Sequence, residues 1–270
     1  MKTLFQFFHV LICFLLCFGL SFAGIEDPPC NSAAGVKKTI LSKMAEARSY
    51  QLKASVKIDD VVVFTKILGI TPDRLRIEQS FGTGNDQLQI TEVFDGRVQW
   101  IESRKSGKIQ VLKINTDELV ENDRPFDTGY YLMGTGLING EDFPSTIKIL
   151  LSVYALSVKC HHNKIVLTGY LDQTNLDKYA NSRKFKMANK PFVEEYKKRF
   201  RFAEIVIGYP DYRILRYSLG PSNNTVTITT TFDDIRTNLN NIEGVFRYKP
   251  PNGVQPDDIT DEIKRALAGG

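Results

Sequence analysis

The sequence predicts a mainly β, α+β protein in which a curved antiparallel sheet is closed over by helices. Three observations carry this. Apolar and polar residues alternate with a period of two through most of the stretch from Tyr50 to Ile114, as the side chains of half-buried strands do. Turn-forming pairs, Asp59-Asp60, Asp95-Gly96 and Ser106-Gly107, punctuate that alternation at hairpin intervals. Two further stretches, opening at Asn31 or Ser32 and at Phe143, repeat their apolar residues with a helical period. An apolar stripe of that kind has to be buried on a neighbouring layer.

The chain begins with Lys2, an almost unbroken apolar run from Leu4 to Leu20, and the small-x-small triplet Ser21-Phe22-Ala23. This is the layout of a cleavable export signal. We therefore expect a signal peptide over 1–23, a single domain over 24–270, and a periplasmic or otherwise exported mature protein. The alternative is an uncleaved anchor, since the run is long enough to span a bilayer. Cleavage removes Cys13 and Cys17 and leaves Cys30 and Cys160. In an oxidising compartment these two either pair, tying the N-terminal segment to the middle of the sheet, or stay as separate buried thiols.

The first helix places Val36, Ile40, Leu41, Met44 and Ala47 on one face and Lys37, Lys38, Lys43 and Glu46 on the other. Six strands in meander order are then predicted up to Ile114. In the third, Leu75 and Ile77 face one way while Arg74, Arg76 and Glu78 face the other; Val98 and Trp100 share a face of the fifth. Asn115 to Gly140 is an acidic, then Gly-rich loop. Phe143-Pro144 opens a second helix, whose stripe is Ile147, Leu150, Leu151 and Tyr154, with Lys148 and Lys159 as the only charges before Cys160. Strands resume at Ser157 to Cys160 and Lys164 to Leu171. A basic, aromatic insert over 174–201 follows, with nine Lys or Arg against three acidic residues, its second half from Pro191 expected to be helical. Three more strands, Phe202 to Gly208, Tyr212 to Leu219 and Thr225 to Phe232, and a short helix within Asp257 to Leu267 complete the chain.

Composition narrows function. With 42% apolar and 24% charged residues the chain can bury a core and remain in water, and a net charge of +4 is too weak to imply nucleic acid. Soft metal ligands cluster only at Cys160-His161-His162, where a strand would converge two of them at most, and zinc takes three or four. Neither Gly-x-Ser-x-Gly nor His-Glu-x-x-His occurs. The acidic loop from Asp117 to Asp127 lacks the oxygen spacing and central Gly of a calcium loop. No catalytic residue, metal or cofactor is expected. The basic insert suits the headgroups of an anionic membrane surface, or simply a solvated helical face.

Several features taken together resemble the periplasmic lipoprotein carrier superfamily of LolA and LolB. They are the export signal, the N-terminal amphipathic helix, Pro72-x-x-x-Arg76 opening a strand, Asp95-Gly96-x-x-x-Trp100, the mid-chain helix, and the closing Phe246-x-x-x-Pro250-Pro251-x-Gly253-Val254. The resemblance covers most of the mature chain. It implies an unclosed half β-barrel with helices as a lid over an apolar cavity, taking up lipid or lipoprotein acyl chains without covalent chemistry and passing them to a partner protein, as in outer-membrane lipoprotein sorting. The expected lining is Leu75, Ile77, Val98 and Trp100, with Ile147, Leu151 and Tyr154 as lid contacts. One position departs from the pattern: where such carriers often have an Arg before the strand-opening Pro, resembling a latch to the lid, this chain has Thr71. The alternative function is an envelope sensor or regulator that uses the same fold to bind a protein partner.

Overall fold

The structure is a computed structural model, and it describes residues 32–71, 74–82, 84, 87–119, 142–182, 194 and 197–268. The expected signal peptide, Cys30 and most of the acidic, Gly-rich loop lie outside these residues. Among the described residues no helix is long and apolar enough to cross a membrane.

Helix α1 (Ala33–Glu46) starts where Ser32 caps it, its hydroxyl accepting from the Gly35 N–H at 3.1 Å. Val36 and Ile40, one turn apart, are its buried residues. Six strands follow as a meander: β1 (Ser49–Ile58), β2 (Val61–Ile70), β3 (Arg74–Phe81), β4 (Leu88–Phe94), β5 (Val98–Lys105) and β6 (Lys108–Asn115). Asp95 and Gly96 turn the chain between β4 and β5 as expected. Gly96 takes φ 101°, and the Asp95 carboxylate accepts from the N–H groups of Arg97 and Val98, both at 2.9 Å.

Helix α2 (Phe143–Val153) is capped by Asp142, whose side chain accepts from the Ser145 N–H, and has Pro144 in its first turn. It ends earlier than its stripe suggests. Tyr154, expected as the helix's last apolar contact, is the first residue of β7 (Tyr154–His161), which pairs with β8 (Lys164–Leu171). A second difference lies in the basic insert: its opening is helical, as α3 (Gln173–Ser182). Then come β9 (Phe202–Gly208), β10 (Ile214–Gly220), β11 (Ile228–Thr237), the two-residue β12 (Asp257–Asp258) and helix α4 (Thr260–Ala268).

All twelve strands belong to one sheet, in the order β12-β6-β5-β4-β3-β2-β1-β11-β10-β9-β8-β7. Every neighbouring pair is antiparallel except β12 on β6. The two edge strands do not pair with each other, so the sheet is an unclosed half-barrel. Its centre is the β1–β11 pairing, which joins the first meander to the last strands. Helix α2 sits between α1 and α3 over the inner face, and its buried set, Phe143, Thr146, Ile147, Ile149, Leu150, Leu151 and Val153, runs most of the way around it. A helix apolar nearly all round belongs in a core. Aromatic rings fix its first turn to the sheet: Phe143 lies 6.0 Å from Tyr50 of β1 and 5.4 Å from Phe232 of β11, and the Phe143 N–H donates to the Tyr50 hydroxyl at 3.3 Å. Cys160 is disulfide-bonded. The other three cysteines, Cys13, Cys17 and Cys30, lie outside the described residues.

Candidate functional site

Residues that pair across antiparallel strands share a face, so the register decides which side chains look into the half-barrel. Leu75 pairs with Phe94 and Ile77 with Glu92; Phe94 then pairs with Gln99, Glu92 with Ile101, and Gln99 with Ile114. These residues form the inner face of β3–β6, and all but Leu112 among their immediate partners are buried. Leu75 and Ile77 belong to one apolar cluster with Ile147 and Leu151 of α2 and with Tyr154. The structure therefore brings five of the seven expected lining and lid residues together. Tyr154 does so from the strand, with its hydroxyl donating to the Phe200 carbonyl at 2.8 Å.

Val98 and Trp100 are on the other side. Trp100 pairs with Val93, and Val93 pairs with Arg76, so both follow the outer face of β3. Their expected place in the lining is corrected here. The physical reason is that β5 has a cover on each face. The C-terminal segment crosses the outer one: the Tyr248 ring lies 5.3 Å from Trp100, the Tyr248 hydroxyl donates to Glu102 Oε2 at 2.7 Å, and Arg76 Nη1 donates to the Val245 carbonyl at 3.4 Å. Val98 and Trp100 are thus half-buried without facing the half-barrel. Around it runs a set of ion pairs, Arg76 with Glu78 at 2.8 Å, Lys66 with Glu78 at 3.4 Å, and Arg104 with Glu102. Burial pushes the Glu78 and Glu102 carboxyls up, but these basic partners, with Tyr248 at Glu102, outweigh it and leave both below the usual carboxylate value.

Sequence reasoning missed the polar residues of the inner face. Thr65 pairs with Gln79, and Glu92 and Gln99 lie diagonally across the β4–β5 ladder, with Gln99 Nε2 donating to Glu92 Oε1 at 2.5 Å. All four are 2–5% exposed. Burial raises the Glu92 carboxyl to about 7, against the opposing effect of the Gln99 hydrogen bond. A signal was present. In β4 the residues Leu88, Ile90, Glu92 and Phe94 share one phase, and in β3 Leu75, Ile77, Gln79 and Phe81 do, so Glu92 and Gln79 are polar residues written in an apolar register.

The remaining candidates are dispersed. His161 ends β7 and His162 lies in the following turn with φ 48°, while Cys160 is committed to its disulfide. Among the described residues no three His, Cys, Asp or Glu side chains gather as a metal site. In the basic insert Lys197 pairs with Asp177 at 3.2 Å, and the Arg199 guanidinium lies 5.9 Å from the Phe200 ring. Residues 183–193 and 195–196 of the insert lie outside the described residues.

No known family profile matches the sequence, and no curated protein matches it. Solved structures do resemble the fold. An uncharacterised conserved protein from Thermus thermophilus is 11% identical over 84% of this chain and 99% of its own, with a TM-score of 0.45. The MucA/MucB complex of Pseudomonas aeruginosa gives 14% identity over 80% of this chain and 61% of that one, with a TM-score of 0.40. A provisionally named outer membrane lipoprotein-sorting protein domain from Vibrio parahaemolyticus gives 10% identity over 86% of this chain and 97% of that one, with a TM-score of 0.35.

Proposed function

We propose that this protein is an exported, non-enzymatic carrier that binds lipid or lipoprotein acyl chains on the inner face of the half-barrel, under the helices α1–α3. The observation that supports it most is the apolar cluster itself. It joins Leu75, Ile77 and Phe94 on one arm of an unclosed sheet to Ile147, Leu151 and Tyr154 beneath and beside the helix layer. No strand ladder joins the helices to the sheet, so separating them opens apolar surface without breaking a strand pairing. An acyl chain entering that seam gains about 0.8 kcal/mol per methylene removed from water, and release follows from helix displacement at a membrane or partner. In this reading the basic insert over 174–201 rests on anionic headgroups and orients the opening.

The test is native mass spectrometry of the purified protein followed by lipid extraction. Acyl species that leave only on denaturation are the expected result. A clean apo mass, together with failure to take up a fluorescent fatty acid, overturns the carrier reading.

A second reading, a regulator that binds a protein partner, is favoured by one observation. The β1–β2 hairpin exposes Val61, Val62 and Phe64, with Phe64 59% exposed between the small cross-strand neighbours Ser55 and Ser80. Phe64→Ser separates the two readings. It leaves acyl uptake unchanged if the carrier reading holds, and abolishes partner binding if the regulator reading does.

A further inference from the structure

The polar strip on the inner face has a chemistry that selects its ligand. Thr65, Gln79, Glu92 and Gln99 are buried between apolar neighbours, Ile67 and Ile77 on one side and Ile101 on another. Toward the apolar cluster the next inner positions are Leu75 and Phe94; toward the β3–β4 turn they are Ile90 and Leu88, which are only half-buried. The strip therefore stands between a fully buried apolar end and a half-exposed one. Within it, Gln99 spends its amide N–H on Glu92, and its carbonyl oxygen, Oε1, is buried with no hydrogen-bond partner. Most buried side-chain acceptors in folded proteins have a hydrogen-bond partner, so an orphan on a candidate binding face can take a donor from outside the chain.

Charge narrows the donor further. From Val63 to Ile67 in β2, Leu75 to Gln79 in β3, Ile90 to Phe94 in β4 and Gln99 to Ser103 in β5, no inner position is Lys or Arg. A phosphate or an ionised carboxylate seated on the strip would find no counter-charge on these strands, and burying it unpaired is strongly unfavourable. A plain hydrocarbon or an ester would leave Gln99 Oε1 as it is. An alcohol or amide N–H satisfies it and can be met by the Glu92 carboxyl, which burial holds largely protonated below neutral pH.

Building on the carrier reading, we propose that the strip formed by Thr65, Gln79, Glu92 and Gln99 seats the head of an acyl lipid that is uncharged and carries a hydrogen-bond donor, of the acylglycerol or N-acyl amide class. The tail runs toward Leu75, Ile77 and Phe94, and the head lies on the half-exposed side, toward Leu88 and Ile90.

The experiment is displacement of a fluorescent acyl probe by three ligands with the same chain: monooleoylglycerol, methyl oleate and oleate. Monooleoylglycerol should compete about tenfold better than methyl oleate, the size of one hydrogen bond to a buried acceptor, and oleate at pH 8 should compete no better than methyl oleate. Gln99→Leu should erase the tenfold difference, so that monooleoylglycerol and methyl oleate compete equally in the variant. Gln89→Leu, on the outer face of β4, should preserve it. Equal competition by monooleoylglycerol and methyl oleate in the native protein overturns the proposal without any variant, as does tighter binding of oleate. Retention of the preference in a folded Gln99→Leu protein overturns it too. If no acyl probe binds at all, the carrier reading falls and this proposal with it.

Discussion

Glu92 gives stability a pH dependence of unusual sign. A carboxyl whose value rises from 4.5 to about 7 on folding binds its proton more tightly in the folded chain than in the unfolded one. Its contribution is therefore complete below pH 4.5, declines as the pH rises, and is gone above about pH 7. At about 1.36 kcal/mol per pH unit, the span between those values corresponds to roughly 3 kcal/mol. Glu78, Glu102 and Asp258 act in the opposite direction, since their folded values are lowered and their contribution is lost on acidification. Glu92→Gln isolates the effect: it is neutral at every pH and keeps an acceptor for Gln99 Nε2. Urea unfolding of both proteins at intervals from pH 4 to pH 8 should show the variant gaining on the native chain between pH 4.5 and 7, by roughly 3 kcal/mol in all, and holding that lead above pH 7. A difference between the two proteins that does not change with pH would refute the reasoning, because it would mean that Glu92 keeps its solvated value in the folded state; a lead that shrinks as the pH rises would refute it as well, because a cation partner gives that sign.

Other perturbations follow from the packing. Gly69→Ala places a Cβ 2.2 Å from the Tyr50 ring, and because Tyr50 also accepts from the Phe143 N–H it cannot swing aside freely; we expect a loss of about 3 kcal/mol or more in thermal or denaturant unfolding. Tyr248→Phe removes the hydrogen bond to Glu102, costing about 1 kcal/mol. Tyr248→Ala should shift Trp100 emission to the red, whereas an acyl ligand on the inner face should leave that emission unchanged, because Trp100 is the only Trp of the chain and lies on the outer face. Cys160→Ser should lower stability by about 2–4 kcal/mol, and the native protein should approach the variant's melting temperature when heated with a reductant, since Cys160 is disulfide-bonded.

Local periodicity made much of this fold legible. The alternation from Tyr50 to Ile114 is enough to place β1 to β6, because each turn between them is short and each strand has one dry face. Ser32 and Pro144 mark the starts of α1 and α2 by capping chemistry that needs no tertiary context. Less was legible wherever a residue's partner is distant in sequence. Val98 and Trp100 alternate as an inward pair would, and only the strap from Val245 to Tyr248, some 150 residues later, turns that into an outer face. Tyr154 completes a helical stripe, yet pairing with Leu171 draws it into β7. The two-residue β12 has no periodicity to read. Of the candidate site, the apolar part was visible as pattern, while Glu92 and Gln99 looked like ordinary strand polar residues until register put them inside.

The position of β1 has a consequence for how the molecule comes into being. It lies in the middle of the sheet, yet its second partner, β11, is separated from it by about 180 residues, as in Tyr50 with Thr237. Strands β1 to β6 can zip up hairpin by hairpin as soon as they exist, but one side of β1 then presents unsatisfied backbone groups until nearly the whole chain has been made. Closing so long a loop is slow on entropic grounds, and an open strand edge is in the meantime a template for mispairing. A chain built this way has its vulnerable interval between the synthesis of its first strand and the arrival of its eleventh, and on that view its yield is governed by kinetics more than by the stability of the finished fold.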